Sequence, residues 1–227
     1  RAVNSAGRAD EFSYQLAKRG RELLRDLEFV CLNDQAGTAG GAGTARTLGS
    51  VGGWLKTNRV ISSLSSGTAG TVGGFGSGVI PAPIAQTDAG AFTESDLKTA
   101  IQNCWTQGGD PTVIMVGAHN KTVASGFAGI ATQYRDNQGT GQATIIAAAD
   151  VYVSDFGQHM IVANRFQAAS NAYVLDMEHF AIAELRSMET NPLAKTGDSD
   201  RTQLIEECTL VVRNEAASAQ VRDLTTA

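Results

Sequence analysis

The first part of the chain has the periodicity of one long amphipathic helix. Apolar side chains recur at three- and four-residue steps when Gly20 is counted into the same stripe, as one face of a helix requires. The pattern predicts a helix over 9–32, in which Lys18 and Glu22 are spaced to form an ion pair across one turn. The apolar stripe consists of Phe12, Leu16, Leu23, Leu27 and Val30, and the opposite side carries Lys18, Arg19, Arg21, Glu22, Arg25 and Asp26.

A second helix is predicted to begin after Thr93. The Thr93 side chain can cap it, and Asp96 occupies the position at which a capping box places its acidic residue. An apolar stripe of Leu97, Ile101, Cys104 and Trp105 follows. The glycines at 108–109 are a typical stop signal for the helix.

Strand patterns dominate the second half of the chain. A β-branched run predicts a buried strand over 112–117, and a short helix follows from 120 to about 127. Strands in meander order are then predicted at 144–149, 151–156 and 160–166, with the turn of the hairpin at Gly157 and Gln158, and longer strand patterns follow at 173–185 and 203–224. Helices therefore come first and strands later, which predicts an α+β fold.

The segment 37–90 is rich in glycine and poor in charge, so it is predicted to be a long loop without a core of its own. A short strand is predicted inside it at 47–55. The stretch GTAGTVGGFGSG at 67–78 resembles a phosphate-binding loop only superficially. Pro81 and Pro83 follow it, where a phosphate site needs the first turn of a helix.

Composition adds a hint about assembly. Hydrophobic residues make up 42% of the 227-residue chain and charged residues only 18%, below the usual quarter. A surface that is largely covered by copies of the same protein needs fewer solubilising charges. With a net charge of −5 and 18 basic residues scattered along the chain, no electrostatic footprint for nucleic acid or an anionic membrane is predicted, and no apolar run is long enough to span a membrane. Cys31, Cys104 and Cys208 have no metal-site spacing and are predicted to be core residues.

No active site, cofactor site or metal site is predicted. His119, His159 and His179 fall in separate elements without metal-ligand spacing. A carboxylate–histidine site is geometrically conceivable around one turn or one strand, so a free hydrolase using Asp155, His159 or Glu178 is the enzyme-class alternative. Ordinary hairpin polarity explains the same residues more simply.

Five stretches, taken together and in order, resemble the major capsid (head) proteins of tailed bacteriophages with the Hong Kong 97-like fold. The likeness covers nearly the whole chain except much of 59–92. The stretches are GRADEFSYQLAKRGRELLRDLE at 7–28, TARTLGSVGGWLKTN at 44–58, TESDLKTAIQNCWTQGGDPTVIMVGAHNKTVASGFAGIAT at 93–132, AADVYVSDFG at 148–157 and LAKTGDSDRTQLIEECTLVVRNEAASAQVRDLT at 193–225.

The resemblance implies a division of the chain into a peripheral and an axial domain. The expected parts are the spine helix of the peripheral domain (1–35), a glycine-rich loop insertion (36–92), a peripheral-domain helix (93–110), the axial domain (111–195) and a peripheral-domain return strand (196–227). The family also places an N-terminal arm and an extended loop before the spine helix. Because the chain begins almost at that helix, these parts are expected to have been cleaved, left out or unobserved.

The resemblance further implies self-assembly into hexamers and pentamers that form an icosahedral shell around double-stranded DNA, without sequence-specific binding. Many copies of the chain would be the main partners, with decoration, portal and scaffolding proteins beside them, in the virion and, during assembly, in the host cytoplasm. An encapsulin-like compartment that encloses a cargo enzyme is the alternative. The glycine-rich stretch is then expected to be an intersubunit loop. Candidate subunit contacts are Arg21, Arg25, Trp54, Lys56, Lys195, Asp198, Glu207 and Arg213.

Overall fold

A computed structural model describes residues 11–62, 74–75, 79–81, 89–127, 150–199 and 201–226. Helices, a mixed sheet and a separate hairpin make up this part of the chain, which confirms the α+β class. The predicted strand at 144–149 and all of 67–78 except Gly74 and Phe75 lie outside the described residues.

The helices and strands alternate irregularly along the chain. The α-helices are α1 (Glu11–Leu32), α2 (Val51–Trp54), α3 (Glu94–Thr106) and α4 (Ala118–Ser125). The strands are β1 (Arg59–Ile61), β2 (Val113–Val116), β3 (Val151–Ser154), β4 (Gly157–Ala163), β5 (Ala172–Leu175), β6 (Phe180–Leu193), β7 (Arg201–Val212) and β8 (Ala219–Arg222). Short 3-10 helices occupy Met177–His179 and Glu215–Ala217.

Helix α1 has the predicted extent but is buried at one end only. Its stripe residues are half-buried or, at Phe12, 49% exposed, and full burial begins at Cys31 and Leu32. Gly20 lies against β6, because a Cβ atom there would be 3.5 Å from the Met188 sulfur. The periodicity of the stripe is confirmed, whereas most of the helix lies away from the main core.

The main sheet has six strands in the order β1-β8-β5-β2-β4-β3. The pairs β1–β8 and β2–β4 are parallel and the other pairs are antiparallel. The hairpin of the predicted meander is confirmed, because β3 and β4 pair antiparallel, whereas its first strand at 144–149 lies outside the described residues. Strand β2 lies between β4 and β5 and separates strands that follow each other along the chain. Both faces of β5 are buried, Ala172 and Val174 in one hydrophobic cluster and Tyr173 and Leu175 in another. The non-local pairing of β5 with β2 leaves no trace in strand periodicity.

One face of this sheet is covered by α3 and α4. The Thr93 side chain caps α3 by accepting a hydrogen bond from the Asp96 backbone N–H at 3.2 Å, as predicted. Leu97, Ile101 and Cys104 are fully buried against alternate residues of the strands, including Ile114, Val116, Ile161, Val174 and Val221. Trp105 is 59% exposed, so its predicted place in the core stripe is wrong. It packs instead against Phe156, with ring centroids 5.3 Å apart.

The other face of the sheet is covered near β5 by the end of α1 and by α2. Leu55 is fully buried beside Cys31, Leu32, Val51, Tyr173, Leu175 and Leu210. Most of the segment 49–55 is therefore buried in the core, and the predicted strand at 47–55 is wrong because 51–54 form one helical turn. That turn brings Gly52 so close to the sheet that a Cβ atom would be 2.8 Å from the Tyr173 hydroxyl. A glycine is needed at position 52 because the backbone approaches the Tyr173 side chain closely, and not because a loop requires flexibility there.

A buried ion pair joins the end of α1 to the sheet. Arg222 of β8 is 1% exposed, and its Nη2 atom lies 2.7 Å from Asp34 Oδ2, while Nη1 lies 3.1 Å from Oδ1. The amide of Asn171 donates to both carboxylate oxygens at 3.0 Å. Burial, and secondarily the Asp34 charge, raises the pKa of the neighbouring Tyr173 hydroxyl, so that this group stays neutral. We call these four residues the anchor network.

Two strand predictions in the second half need correction. The turn of the β3–β4 hairpin is at 155–156, since Ser154 pairs with Gly157, rather than at the predicted glycine and glutamine. The alternation over 173–185 does not form one strand, because the Asp176 carboxylate accepts the Glu178 backbone N–H at 3.2 Å and starts the 3-10 turn that separates β5 from β6. A second turn, capped by Asn214, divides the predicted strand at 203–224.

Strands β6 and β7 form a long hairpin that is separate from the main sheet. They span 14 and 12 residues and pair antiparallel, with register shifts between Glu184 and Arg186 and between Arg186 and Glu189. Nearly every side chain of β6 is exposed, including the apolar Leu185 at 79%. This hairpin contacts the rest of the described chain chiefly through α1 and its own base.

The six-stranded sheet takes strands from three of the ranges expected for the domains. Strand β1 belongs to 36–92, β2 to β5 belong to 111–195, and β8 belongs to 196–227. Helix α3, from 93–110, packs on the same sheet. The expected division into peripheral and axial domains therefore stays a prediction.

The three cysteines differ in burial. Burial raises the pKa of Cys104 to about 12 and, with smaller contributions from Cys208 and Glu28, that of Cys31 to about 11. Both are core residues, as predicted. Cys208 on β7 is only half-buried, so the prediction of a core position is wrong for this residue, because the hairpin that carries it stands outside the main sheet.

We expect Arg222→Ala to lower the free energy of unfolding by about 3 kcal/mol, because it leaves the Asp34 carboxylate without its buried partner. Chemical denaturation monitored by circular dichroism measures the loss. Arg19→Ala removes an exposed ion pair with Glu22 and is expected to cost at most about 1 kcal/mol. Equal effects of the two substitutions would show that the anchor network does not stabilise the fold.

Candidate assembly surface

A groove of about 1030 Å³ runs between α1 and the β6–β7 hairpin. Its apolar lining comes from the helix stripe, at Leu23, Leu27 and Val30, and from Leu185 on the hairpin. These side chains are half-buried or exposed, although they belong to the most regular apolar pattern of the sequence. The groove is therefore an apolar surface that α1 and the hairpin leave open between them. We call it the α1–hairpin groove.

Carboxylates line the α1–hairpin groove. Asp26, Glu184, Glu206 and Glu207 contribute to it, and Arg46 is the basic residue among its described lining. A hydrogen bond from Arg186 lowers the pKa of Glu207. Burial raises the pKa of the Cys208 thiol, and the charges of Glu206 and Glu184 raise it further. The groove is thus electronegative, and the charges of Glu184 and Glu206 both act on Cys208.

The opposite side of α1 is basic. Lys18, Arg21 and Arg25 are all exposed there and form no ion pair with the described parts of the chain. The predicted pair between Lys18 and Glu22 is wrong, because Glu22 binds Arg19, whose Nη1 atom is 2.6 Å from Oε2. The ion pair on the helix therefore joins residues three positions apart, not four as predicted.

The other predicted contact residues lie in separate places. Trp54 is half-buried and stacks on Phe75 with ring centroids 5.8 Å apart. Lys56 is exposed, and its backbone N–H donates to the Glu215 carboxylate at 2.9 Å. Lys195 and Asp198 are exposed near the tip of the β6–β7 hairpin, and Arg213 is exposed at its base. The structure does not bring the eight residues together in one patch, and their role in subunit contacts stays a prediction.

An exposed apolar face that sequence reasoning missed lies on β3 and β4. Val151 and Met160 pair across the two strands, and Val153 follows on the same face, with exposures of 37%, 56% and 49%. Phe156, in the turn between the two strands, is also exposed and packs against Trp105 of α3. The sequence contains a signal for this face, because VYV at 151–153 and MIV at 160–162 place apolar residues on both faces of their strands. A strand that is buried on one face only does not need apolar residues on the other.

The residues of the hydrolase alternative do not form a catalytic group. His159 is 1% exposed, and its Nδ1 atom lies 2.6 Å from the Pro111 carbonyl oxygen, so Nδ1 carries the proton and donates it. Nε2 accepts from the Ser154 hydroxyl at 2.7 Å. Asp155 is exposed in the hairpin turn, and no hydrogen bond joins it to His159 within the described chain. Glu178 lies exposed in a different turn. The histidine therefore secures the β3–β4 hairpin.

Other site classes receive no support from the described residues. Among them, no three side chains of histidine, cysteine, aspartate or glutamate converge as ligands for a metal ion. None of the helices in the described ranges combines the length and apolar character needed to cross a bilayer. The surfaces that stand out are the α1–hairpin groove and the exposed apolar face of β3 and β4.

A comparison with protein families identifies the family to which the chain belongs. The family model described as SU10 major capsid protein matches residues 1–225. The chain belongs to the SU10 major capsid protein family. A comparison with curated proteins found no match. The family match spans all the described elements, so the groove, the hairpin and the sheet are parts of one capsid protein.

Membership in the SU10 major capsid protein family identifies a structural protein of a tailed phage, the major head protein. Such a protein assembles in many copies and is located in the capsid of the virion. It is not an enzyme family, which agrees with the structural role of His159. The resemblance to phage capsid proteins in the sequence is thereby confirmed at the level of the family.

We expect His159→Ala to lower stability and the yield of assembled particles together, because it removes two buried hydrogen bonds and leaves a cavity. Thermal unfolding and particle yield from sedimentation measure the two effects. Glu178→Ala is the control, since this exposed side chain is not part of the hairpin's hydrogen bonds. An unchanged particle yield combined with the loss of a hydrolytic turnover would support an enzyme instead.

Proposed function

We propose that the chain forms hexamers and pentamers that close into the icosahedral head shell around a double-stranded DNA genome. In this proposal the molecule has the Hong Kong 97-like fold, with α1 as its spine helix. Helix α1 is 22 residues long, about 33 Å at 1.5 Å per residue. The family match, the long helix and the long separate hairpin support the proposal.

The observation that carries the proposal is the exposure of the β6–β7 hairpin. A two-stranded hairpin standing alone in water is at best marginally stable. Here it spans 14 and 12 residues and exposes Ile182, Leu185 and Leu193 by 45%, 79% and 46%. Neighbouring copies that cover these side chains would supply the burial that the free subunit lacks. Each contact can remain modest, because every subunit in a shell takes part in several.

The expected domains and contacts fit this assembly as proposals. The ranges 1–35, 93–110 and 196–227 would form the peripheral domain and 111–195 the axial domain, with 36–92 inserted between them. Arg21, Arg25, Trp54, Lys56, Lys195, Asp198, Glu207 and Arg213 would lie at subunit contacts, and the stretch at 67–78 would be held by neighbouring copies.

The charge of the chain suits a wall that confines DNA without sequence-specific binding. With a net charge of −5, the subunit as a whole does not attract the phosphate backbone strongly. Portal, scaffolding and decoration proteins are the further proposed partners, and assembly would take place in the host cytoplasm. An encapsulin-like compartment would have the same need for subunit contacts but would contain a cargo protein.

Electron microscopy of particles formed by the full chain tests the proposal. We expect icosahedral shells with rings of six and five subunits, and native particles are expected to contain double-stranded DNA protected from nuclease. Cargo protein in place of nucleic acid would support the encapsulin alternative. A chain that stays monomeric at high concentration, with any natural upstream residues present, would contradict the proposal.

We expect Leu185→Asp to reduce the particle yield at least tenfold while the thermal unfolding temperature of the free subunit stays unchanged. The Leu185 side chain is 79% exposed, so a charge there costs the subunit little but must be desolvated in an interface. Light scattering under assembly conditions measures the yield. Gln102→Asp, at an exposed position of α3, is the control for the added charge. Normal assembly of Leu185→Asp would remove the hairpin from the proposed contacts.

A further inference from the structure

Two surfaces of the described structure carry opposite charges, and three charged side chains on each form no ion pair within it, although Arg46 also lines the groove. In the α1–hairpin groove, Asp26, Glu184 and Glu206 form no ion pair with the described parts of the chain. On the outer side of α1, Lys18 and the two arginines Arg21 and Arg25 form none either. Three unpaired carboxylates and three unpaired cations are thus displayed on separate faces.

The two surfaces cannot meet within one molecule. Successive residues of an α-helix are rotated by about 100°, so Lys18 and Arg25 lie roughly opposite Leu23 and Leu27, which line the groove. Gly20, on the groove side, contacts Met188 of the hairpin and fixes this orientation. The cations therefore point away from the groove of their own chain, and only another molecule can bring them to it.

Apolar contacts can accompany the charges on both surfaces. Tyr14 and Phe29 lie on the basic side of α1, one near each end of the row of cations, and are 45% and 46% exposed. The groove offers Leu27 and Leu185. Arginine and aromatic side chains are enriched in the centres of protein interfaces, whereas unpaired charge alone is typical of a solvated surface. This composition favours a protein partner for the basic face over the phosphate backbone of DNA.

We propose that the basic face of α1 in one copy docks on the acidic, apolar α1–hairpin groove of a second copy. The inference rests on the proposed shell and specifies one of its contacts. Because two different surfaces meet, the contact is head-to-tail, and such contacts close into rings when the rotation between copies permits. Exposed ion pairs weaken with salt, so this contact gives assembly a dependence on ionic strength.

Charge reversal on each surface tests the docking. Variant one carries Arg21→Glu and Arg25→Glu, and variant two carries Asp26→Lys and Glu184→Lys, all at exposed positions. We expect each variant to keep the circular dichroism spectrum of the wild type and to lose at least tenfold in particle or ring yield. Lys98→Glu with Arg165→Glu makes the same charge change as variant one on other exposed sites and is expected to assemble normally.

Mixing the two variants shows whether the contact lies between copies. In a head-to-tail ring with an even number of subunits, the two variants can alternate. The reversed α1 face of variant one then meets the reversed groove of variant two, and the unchanged α1 face of variant two meets the unchanged groove of variant one. We therefore expect an equimolar mixture to recover six-membered rings, and a chain with all four substitutions to recover assembly by itself. If either variant fails to fold, the neutral substitutions Arg21→Gln with Arg25→Gln and Asp26→Asn with Glu184→Gln are expected to weaken assembly in low salt.

The remaining outcomes separate this docking from the shell itself. Wild-type yields in both variants would overturn the docking and leave the shell proposal intact. Loss of assembly without recovery in either the mixture or the fourfold variant would also overturn it, and would assign the basic face to DNA or another partner. Failure of the wild-type chain to form any particle would instead contradict the proposed function.

Discussion

The ion pair between Asp34 and Arg222 decides how the two halves of the molecule are joined. It links the residue just after α1 to the last strand of the main sheet, and Asn171 completes the coordination of the carboxylate. The buried Arg222 guanidinium needs this partner, because without Asp34 its charge would be left unpaired in a medium of low polarity. The end of α1 is therefore fixed on the sheet, while the rest of the helix extends away from it.

The molecule accordingly has a well-packed part around the main sheet and a less buried part formed by α1 and the β6–β7 hairpin. The six-stranded sheet is covered by α3 and α4 on one face and by the end of α1 and α2 on part of the other, and it contains most of the fully buried side chains. Helix α1 and the β6–β7 hairpin keep their apolar side chains half-buried or exposed. A capsid subunit needs both properties, since it must fold alone and yet reserve apolar surface for its neighbours.

Several elements were predicted well from local sequence signals. The extent of α1, the Thr93 cap of α3 and the β2 strand follow from periodicity and capping, which act within a few residues. The failures share a cause as well. The helical turn of α2, the position of β2 between β4 and β5, and the exposure of Trp105 all depend on residues distant in the chain. The groove was not predicted, because helix periodicity does not reveal how far from the helix a second element packs. Of the predicted contact residues, Glu207 is among its described lining.

The sequence by itself determined the class of elements, their approximate bounds, the acidic balance and the likeness to phage capsid proteins. Only the tertiary structure decided which apolar faces are buried and which are left open. Strand pairing and the anchor network join residues as far apart as 34 and 222, 188 positions along the chain. Such contacts depend on packing and desolvation in three dimensions. They therefore leave no periodic pattern of apolar and polar residues in the sequence.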